Sequence, residues 1–291
     1  MKLDFKSKAQ TLISLKNKIT SASIPEIFVI TVLEWKSLKD KKLIEIQNKF
    51  GNQSLIVRSS SLKEDTIDKS NAGKFLSVVN VNFDNLEDAI QDVINSYETL
   101  NLQDEVLIQP MIRNVLRSGV ACSHDPNTCS PYKVISWSDT SDTTIVTGGY
   151  GGRMWVQSAT SEILPPEKLK LVIQLIDELY QLFDEEPIDV EFAISKELNN
   201  EKLWLLQIRP LILKNLPESY DEQRLRLLKI EQKVRKGAHS HPFLIGKKTI
   251  YGVMPDWNPA EIIGIKPKPL SLSLYRDLIT DVTWAYQRNN Y

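Results

Sequence analysis

Asp189-Val190-Glu191, followed by the run Lys202-Leu203-Trp204-Leu205-Leu206-Gln207-Ile208-Arg209-Pro210, decides how this chain is read. In an extended strand, side chains two apart share a face, so Asp189 and Glu191 point together while Ile188, Val190, Phe192 and Ile194 point oppositely into a core. The polar stretch 195–201 reads as a hairpin loop. On the returning strand the same alternation groups Leu203, Leu205, Gln207 and Arg209 on one face. Two carboxylates beside an amide and a guanidinium suit a divalent cation on a polyphosphate. They equally suit the solvated face of an ordinary antiparallel strand.

Residues 55–61 read Leu-Ile-Val-Arg58-Ser59-Ser60-Ser61, a buried strand that ends in a guanidinium and three hydroxyls. Such an ending makes an anion site. Glu64 and Asp65 follow, then Ser70-Asn71-Ala72-Gly73-Lys74-Phe75, whose small residues allow close backbone approach to phosphates, or simply form a surface hairpin.

The order of these pieces resembles the nucleotide-binding domain of the phosphoenolpyruvate synthase and pyruvate phosphate dikinase family. Val57-Arg58-Ser59-Ser60 through Glu64-Asp65 to Ala72-Gly73 is succeeded by Val106-Leu107-Ile108-Gln109-Pro110-Met111. Ser118-Gly119-Val120-Ala121 with Asp125-Pro126-Asn127-Thr128 comes next, and Asp189-x-Glu191 with Leu206-Gln207-x-Arg209 closes the series. The resemblance implies an α+β, ATP-grasp fold of two lobes with mixed or antiparallel sheets and packed helices, plus a C-terminal helical segment. It implies ATP and Mg2+ as cofactors. Lys8 would meet the ATP phosphates, Arg58 would clamp them, and Gln207 would lie at the phosphoryl end. Asp189 and Glu191 would hold the metal. Gly73 would lie over the phosphates, Gln109, Pro110 and Met111 would form the inter-lobe hinge facing adenine, and Arg209 would support. The chain departs from the family pattern where Lys6-Ser7 replaces a glycine pair, where Cys129 replaces a glycine, and where His124 replaces an arginine and so becomes a donor conditional on protonation.

Composition bounds the rest. At 291 residues, 42% hydrophobic and 25% charged, the chain can bury a sizeable core. A net charge of −1 gives no general attraction to nucleic acid or to an anionic membrane. Neither a membrane span nor a signal-peptide core is evident, so a cytoplasmic setting is expected. Cys122 and Cys129 are the only cysteines, and buried, idle thiols are expected of them.

Helical spacing of Ala9, Leu12, Ile13 and Ile19 is followed by a strand from Ile27 to Leu33. A helix is expected over 84–100, capped by Asp84 with Glu87, and a second starts at Pro166 with Leu169, Val172, Leu175, Ile176, Leu179 and Phe183 inward. Val134–Trp137 and Thr144–Val146 read as strands, and the glycines at 148–152 as a hairpin turn rather than a phosphate loop. Beyond Pro210 comes a charged helix over 218–236, a polar linker bearing His239 and His241, and a helix from about Ser271 to Tyr291. The expected organisation is an ATP-grasp domain over residues 1–212 with its hinge near 106–120, then a mainly helical segment over 213–291 leading into a longer protein.

Asp256-Trp257-Asn258-Pro259 and the residues after it, to Gly264, resemble a segment of family members from surface-polysaccharide gene clusters, among them L-glutamine kinases of capsule biosynthesis. It carries substrate specificity, or it merely covers the ATP lobe. The family's activity implies a carrier histidine outside this chain, in cis or in trans, and a small-molecule acceptor, with L-glutamine favoured. A silent nucleotide-binding regulatory module and a carboxylate ligase working through an acyl phosphate are the alternatives.

Overall fold

Alternation of apolar and polar residues along short strands builds two sheets, and every strand pairing within them is antiparallel. The computed structural model describes residues 3–61, 76–97, 100–140, 152–197, 200–240, 242–243, 245–249 and 263–284. The chain divides into two compact units, Met1–Leu227 and Leu228–Tyr291.

Within the first unit, β1 (Phe28–Thr31), β2 (Leu55–Ser60), β3 (Ser77–Val81) and β4 (Glu105–Pro110) form a four-stranded sheet in the order β1-β4-β2-β3. One face buries Leu55, Val57, Val106 and Ile108 against α2 (Val32–Phe50) and α3 (Leu86–Asn95). The strand expected over 27–33 stops at Thr31. There the hydroxyl accepts from the Glu34 amide while the Glu34 carboxylate accepts from the Thr31 amide, a reciprocal cap that starts α2 at Val32. Sequence reasoning missed this helix, although Thr31-x-x-Glu34 was its signal. At α3 the reciprocal pair is Asn82 with Asn85, ahead of a single 3-10 turn, rather than Asp84 with Glu87. The helix ends at Asn95; Leu86, Ala89, Ile90, Val93, Ile94 and Tyr97 are buried as expected, but Leu100 is exposed.

The chain crosses to the second sheet through residues 111–114, between β4 and β5 (Val115–Cys122). With β6 (Tyr132–Ser138), β7 (Arg153–Ser158), β8 (Ile188–Glu197) and β9 (Asn200–Pro210), β5 makes five strands in the order β7-β6-β5-β8-β9. Helix α4 (Lys170–Leu182) covers one face with Val172, Leu175, Ile176 and Leu179, all fully buried, on Val190, Phe192 and Ile194. Each such side chain contributes about 1.5–3 kcal/mol on leaving water. Helix α1 (Lys8–Leu15) packs Ala9, Leu12 and Leu15 into this same core, although it comes first in sequence.

Two expectations for the second sheet are corrected. The β8–β9 register runs out to Glu197 opposite Asn200, so the strands extend well into the stretch read as a loop. The β8–β9 ladder also shifts between Glu191 and Phe192: Glu191 pairs with Gln207 and Phe192 with Leu205, leaving Leu206 as an extra residue. Such a bulge reverses the alternation. Leu203, Leu205 and Ile208 therefore enter the core, while Gln207 and Arg209 turn to the face of Asp189 and Glu191. Residues 144–146 and 148–151 lie outside the described residues.

Helix α5 (Tyr220–Gly237) continues into the second unit. There His239 bridges to Lys248, and α6 (Pro269–Tyr275) runs into a π-helical stretch, Arg276–Trp284. No helix among the described residues is long and apolar enough to cross a membrane.

Gly119 on β5 faces Trp137 on β6, and a Cβ there would lie 2.0 Å from the Ser136 carbonyl oxygen and 2.8 Å from Trp137 Cα. Backbone cannot retreat as a side-chain tip can. Gly119→Ala is therefore expected to destabilise the first unit by about 1–3 kcal/mol, read as a lowered Tm in thermal denaturation.

Candidate functional site

Period-two alternation sorts the first sheet into two kinds of surface. Opposite the apolar face described above, β2 presents Ile56, Arg58 and Ser60 directly across from Gln109, Leu107 and Glu105 of β4. On the second sheet, β8 and β9 present Asp189 opposite Arg209 and Glu191 opposite Gln207, with Cys122 of β5 across from Asp189.

Arg58 joins these surfaces. Its Nη2 donates to Glu191 Oε2 and to Gln207 Oε1, each at 3.1 Å, and its Nη1 donates to the Leu206 carbonyl at 3.3 Å. The bulge thus serves the site twice, by turning Gln207 inward and by lending a carbonyl. Among the described residues, Arg58 Nε has no hydrogen-bond partner although it is buried, and neither has Gln109 Nε2. Buried orphan donors are rare in folded proteins, and two on one sheet face suit a ligand rich in acceptor oxygens or nitrogens.

The two carboxylates are tuned apart. Burial pushes Glu191 up, but Arg58, Lys8 and Arg209 outweigh it and hold the carboxyl below its ordinary value. Burial also pushes Asp189 up, and here it prevails: Arg209, donating to Oδ2 through Nε at 2.8 Å and Nη2 at 2.7 Å, offsets only part of it, and Glu191 adds repulsion. Glu191 is therefore the constant negative charge, and Asp189 the group that an added cation would most stabilise as an anion. The Cys122 thiol lies 3.9 Å from Asp189 Oδ1; burial, then the neighbouring carboxylate, raise its pKa far above the thiol range. Among the described residues no group of three or more His, Cys, Asp or Glu could hold a metal. Mg2+ needs only one or two protein carboxylates beside phosphate oxygens and water, and Asp189 with Glu191 fits that requirement.

Lys8, 5% exposed, opens α1 behind the Ser7 cap, and its charge reaches Glu191. The hydroxyls of the 59–61 run are largely engaged by protein. Ser60 Oγ accepts from the Ala9 amide at 2.9 Å and Ser61 Oγ donates to Asp104 at 2.7 Å, so these two brace the strand end instead of offering an open anion site. Pro110 ends β4, and the Met111 amide donates to the Ser54 carbonyl at 2.8 Å. That leaves Met111 its carbonyl and side chain for any adenine contact. Gly73, with Glu64 and Asp65, lies outside the described residues.

His124 is no part of this surface. It is fully buried beside the stacked rings of Tyr180 and Tyr220, with ring centroids 5.7 and 6.0 Å away. Ser123 Oγ accepts from the Ile188 amide and lies 3.0 Å from Nδ1, so its proton points to Nδ1; Nε2 then donates to the Glu218 carbonyl at 3.2 Å. The ring fastens the approach to α5 to the second sheet.

The site came into view only partly from sequence. Missed were the bulge, whose signal was the adjacent pair Leu205-Leu206 breaking the alternation, and Glu105, for which no motif exists.

The family model for the pyruvate phosphate dikinase AMP/ATP-binding domain matches residues 4–160, more than half of the chain. The chain belongs to this family, and its paired antiparallel sheets with packed helices are an α+β architecture. By family it is an AMP/ATP-binding domain. No curated protein matches it in sequence. Among solved structures it is similar to D-alanine-D-alanine ligase from Helicobacter pylori, at 14% identity and TM-score 0.40 over 76% of this chain and 60% of that one. The ATP complex of D-alanine–D-alanine ligase from Bacillus anthracis gives 12% and 0.39 over 79% and 67%. PH1788 from Pyrococcus horikoshii Ot3 gives 12% and 0.42 over 72% and 90%. The chain thus spans 60% of the Helicobacter pylori ligase.

Burial lowers the His124 pKa, more than the Glu218 carbonyl raises it. A depressed folded-state value means that stability is complete above the ordinary histidine pKa of about 6.5 and falls as pH drops below it. The other two histidines, His239 and His241, belong to the second unit. The Tm of the first unit is therefore expected to fall between about pH 6.5 and 5 in the wild type, and less steeply in His124→Gln, as followed by circular dichroism.

Proposed function

We propose that residues 1–212 are the nucleotide-binding domain of a cytoplasmic, dikinase-type phosphotransferase. ATP would donate its pyrophosphoryl group to a carrier histidine contributed in cis or in trans and AMP would leave; the terminal phosphoryl group would go to water as orthophosphate, and the phosphoryl group left on the histidine would pass to a small-molecule acceptor, L-glutamine in our reading. The observation that carries this is the Arg58 constellation, a buried guanidinium held by Glu191, Gln207 and the Leu206 carbonyl, with its Nε and the nearby Gln109 amide both unpaired among the described residues.

Phosphoryl transfer asks the protein chiefly for positioning and charge neutralisation. Arg58 is already desolvated and oriented, so its planar fork meets phosphate oxygens at little further ordering cost. Lys8 brings a second cation to the same surface, and Gln207 a neutral donor beside the reacting end. Arg209 keeps Asp189 in place, and Gln109 to Met111 border the adenine. Asp189 and Glu191 would hold Mg2+, which when bound neutralises charge on the phosphates. His124 is committed to the Glu218 carbonyl and does not serve as the carrier. Gly73 completes the proposed set from outside the described residues, and the segment from Asp256 on is assigned to acceptor specificity.

Calorimetric titration of Mg-ATP into the Arg58→Ala and Glu191→Ala proteins is expected to give affinities weakened at least roughly tenfold, with circular dichroism unchanged. Unaltered binding in both would refute the site. With the chain supplied with its histidine carrier and L-glutamine, the nucleotide product is expected to be AMP; ADP without any carrier would replace the dikinase reading with a ligase.

A further inference from the structure

Resting on that reading of Lys8, the geometry points to a positioning residue that none of the motifs contains: we propose that Glu105 holds the first turn of α1 so that the Lys8 ammonium is presented to the triphosphate. Glu105 ends the polar face of β4, directly opposite Ser60 of β2. Its carboxylate is shared between two groups of the α1 turn. Ser7 Oγ donates to Oε2 at 2.6 Å, and Gln10 Nε2 donates to Oε1 at 2.6 Å. Ser60, whose hydroxyl lies 3.5 Å from Oε2, accepts from the Ala9 amide at 2.9 Å. The residues on both sides of Lys8 are thus tied to the ends of β2 and β4, although α1 buries its apolar side in the core of the other sheet.

This arrangement gives the departure at Lys6-Ser7 a physical meaning. A glycine pair before a lysine offers backbone freedom and close approach, but nothing that fixes the lysine. Here Ser7 caps the helix, accepting from the Gln10 amide at 3.3 Å, while its own proton goes to Glu105. The serine exchanges freedom for a charge-assisted hydrogen bond to the opposite sheet. Glu105 is in turn anchored at its backbone, where the Tyr97 hydroxyl donates to its carbonyl. These bonds run from the first sheet to a helix packed in the core of the second, so the lysine's position depends on this carboxylate.

The test is a double-mutant cycle of Glu105→Gln and Lys8→Ala, reading Mg-ATP and adenosine affinity by calorimetry and Tm in parallel. Glu105→Gln is expected to weaken Mg-ATP roughly tenfold while leaving adenosine unchanged, and to have little further effect in the Lys8→Ala background. A purely structural Glu105 would lower Tm with no selective loss of Mg-ATP, or its loss would add fully to that of Lys8→Ala; either result overturns the assignment. If Glu105→Gln fails to fold, Ser7→Ala removes the same bond from the other end and is held to the same criteria. Lys8→Ala with unchanged Mg-ATP affinity would instead overturn the placing of Lys8 at the phosphates, and this assignment with it.

Discussion

A guanidinium enclosed between two sheets cannot be left without acceptors, and the molecule is arranged around that constraint at Arg58. Stripping the ion of water costs several kcal/mol unless its protons are met. Glu191, Gln207 and the Leu206 carbonyl meet them from β8 and β9, the two strands that also carry Arg209 and Asp189. The acceptors come from the second sheet and the cation from the first, so the pairing ties the sheets together as well as ordering the surface where they meet. Nε is left over among the described residues, so the cation keeps a proton to offer. That is the electrostatic condition expected of a surface prepared for an anion.

The two cores explain why so much polarity can gather there. Val57, Val106 and Ile108 are buried with α2 and α3 on one side of the first sheet, and Val190, Phe192 and Ile194 with α4 on one side of the second. Each sheet has thereby spent one face on its helices and has the other to carry chemistry. Helix α1 fits between these roles, its apolar residues entering the second core while its amino end reaches Glu105 and Ser60 of the first sheet.

Much of this was legible in the sequence because it depends on short-range periodicity. The inward residues of α3 and α4, the shared face of Asp189 and Glu191, and the buried strand ending at Arg58 all follow from spacing alone. What escaped depends on partners distant in sequence or on a single break in register. The Thr31 cap ended a strand that composition alone would have continued. The assignment of Leu203, Leu205, Gln207 and Arg209 to one face failed because one residue at Leu206 inverted the phase. His124 and the Ser60 and Ser61 hydroxyls, read as candidate donors to a ligand, found protein partners that only folding brings near. Glu105 sits in a stretch that reads as ordinary strand; its meaning comes from Ser7 and Gln10, nearly a hundred positions earlier.

The extra residue in β9 makes that strand a ruler with one added graduation. Pairing the strand straight through with Leu206 kept in the ladder would give a more regular hairpin, yet it would also carry the alternation of Leu203 and Leu205 onward unbroken. Gln207 and Arg209 would then fall in line with the leucines before them, facing hydrocarbon, and Ile208 would be left facing the charged surface. A ladder idealised for regularity at this place would thus lose the chemistry and bury an amide and a guanidinium among leucines, so the irregularity at Leu206 is part of the site.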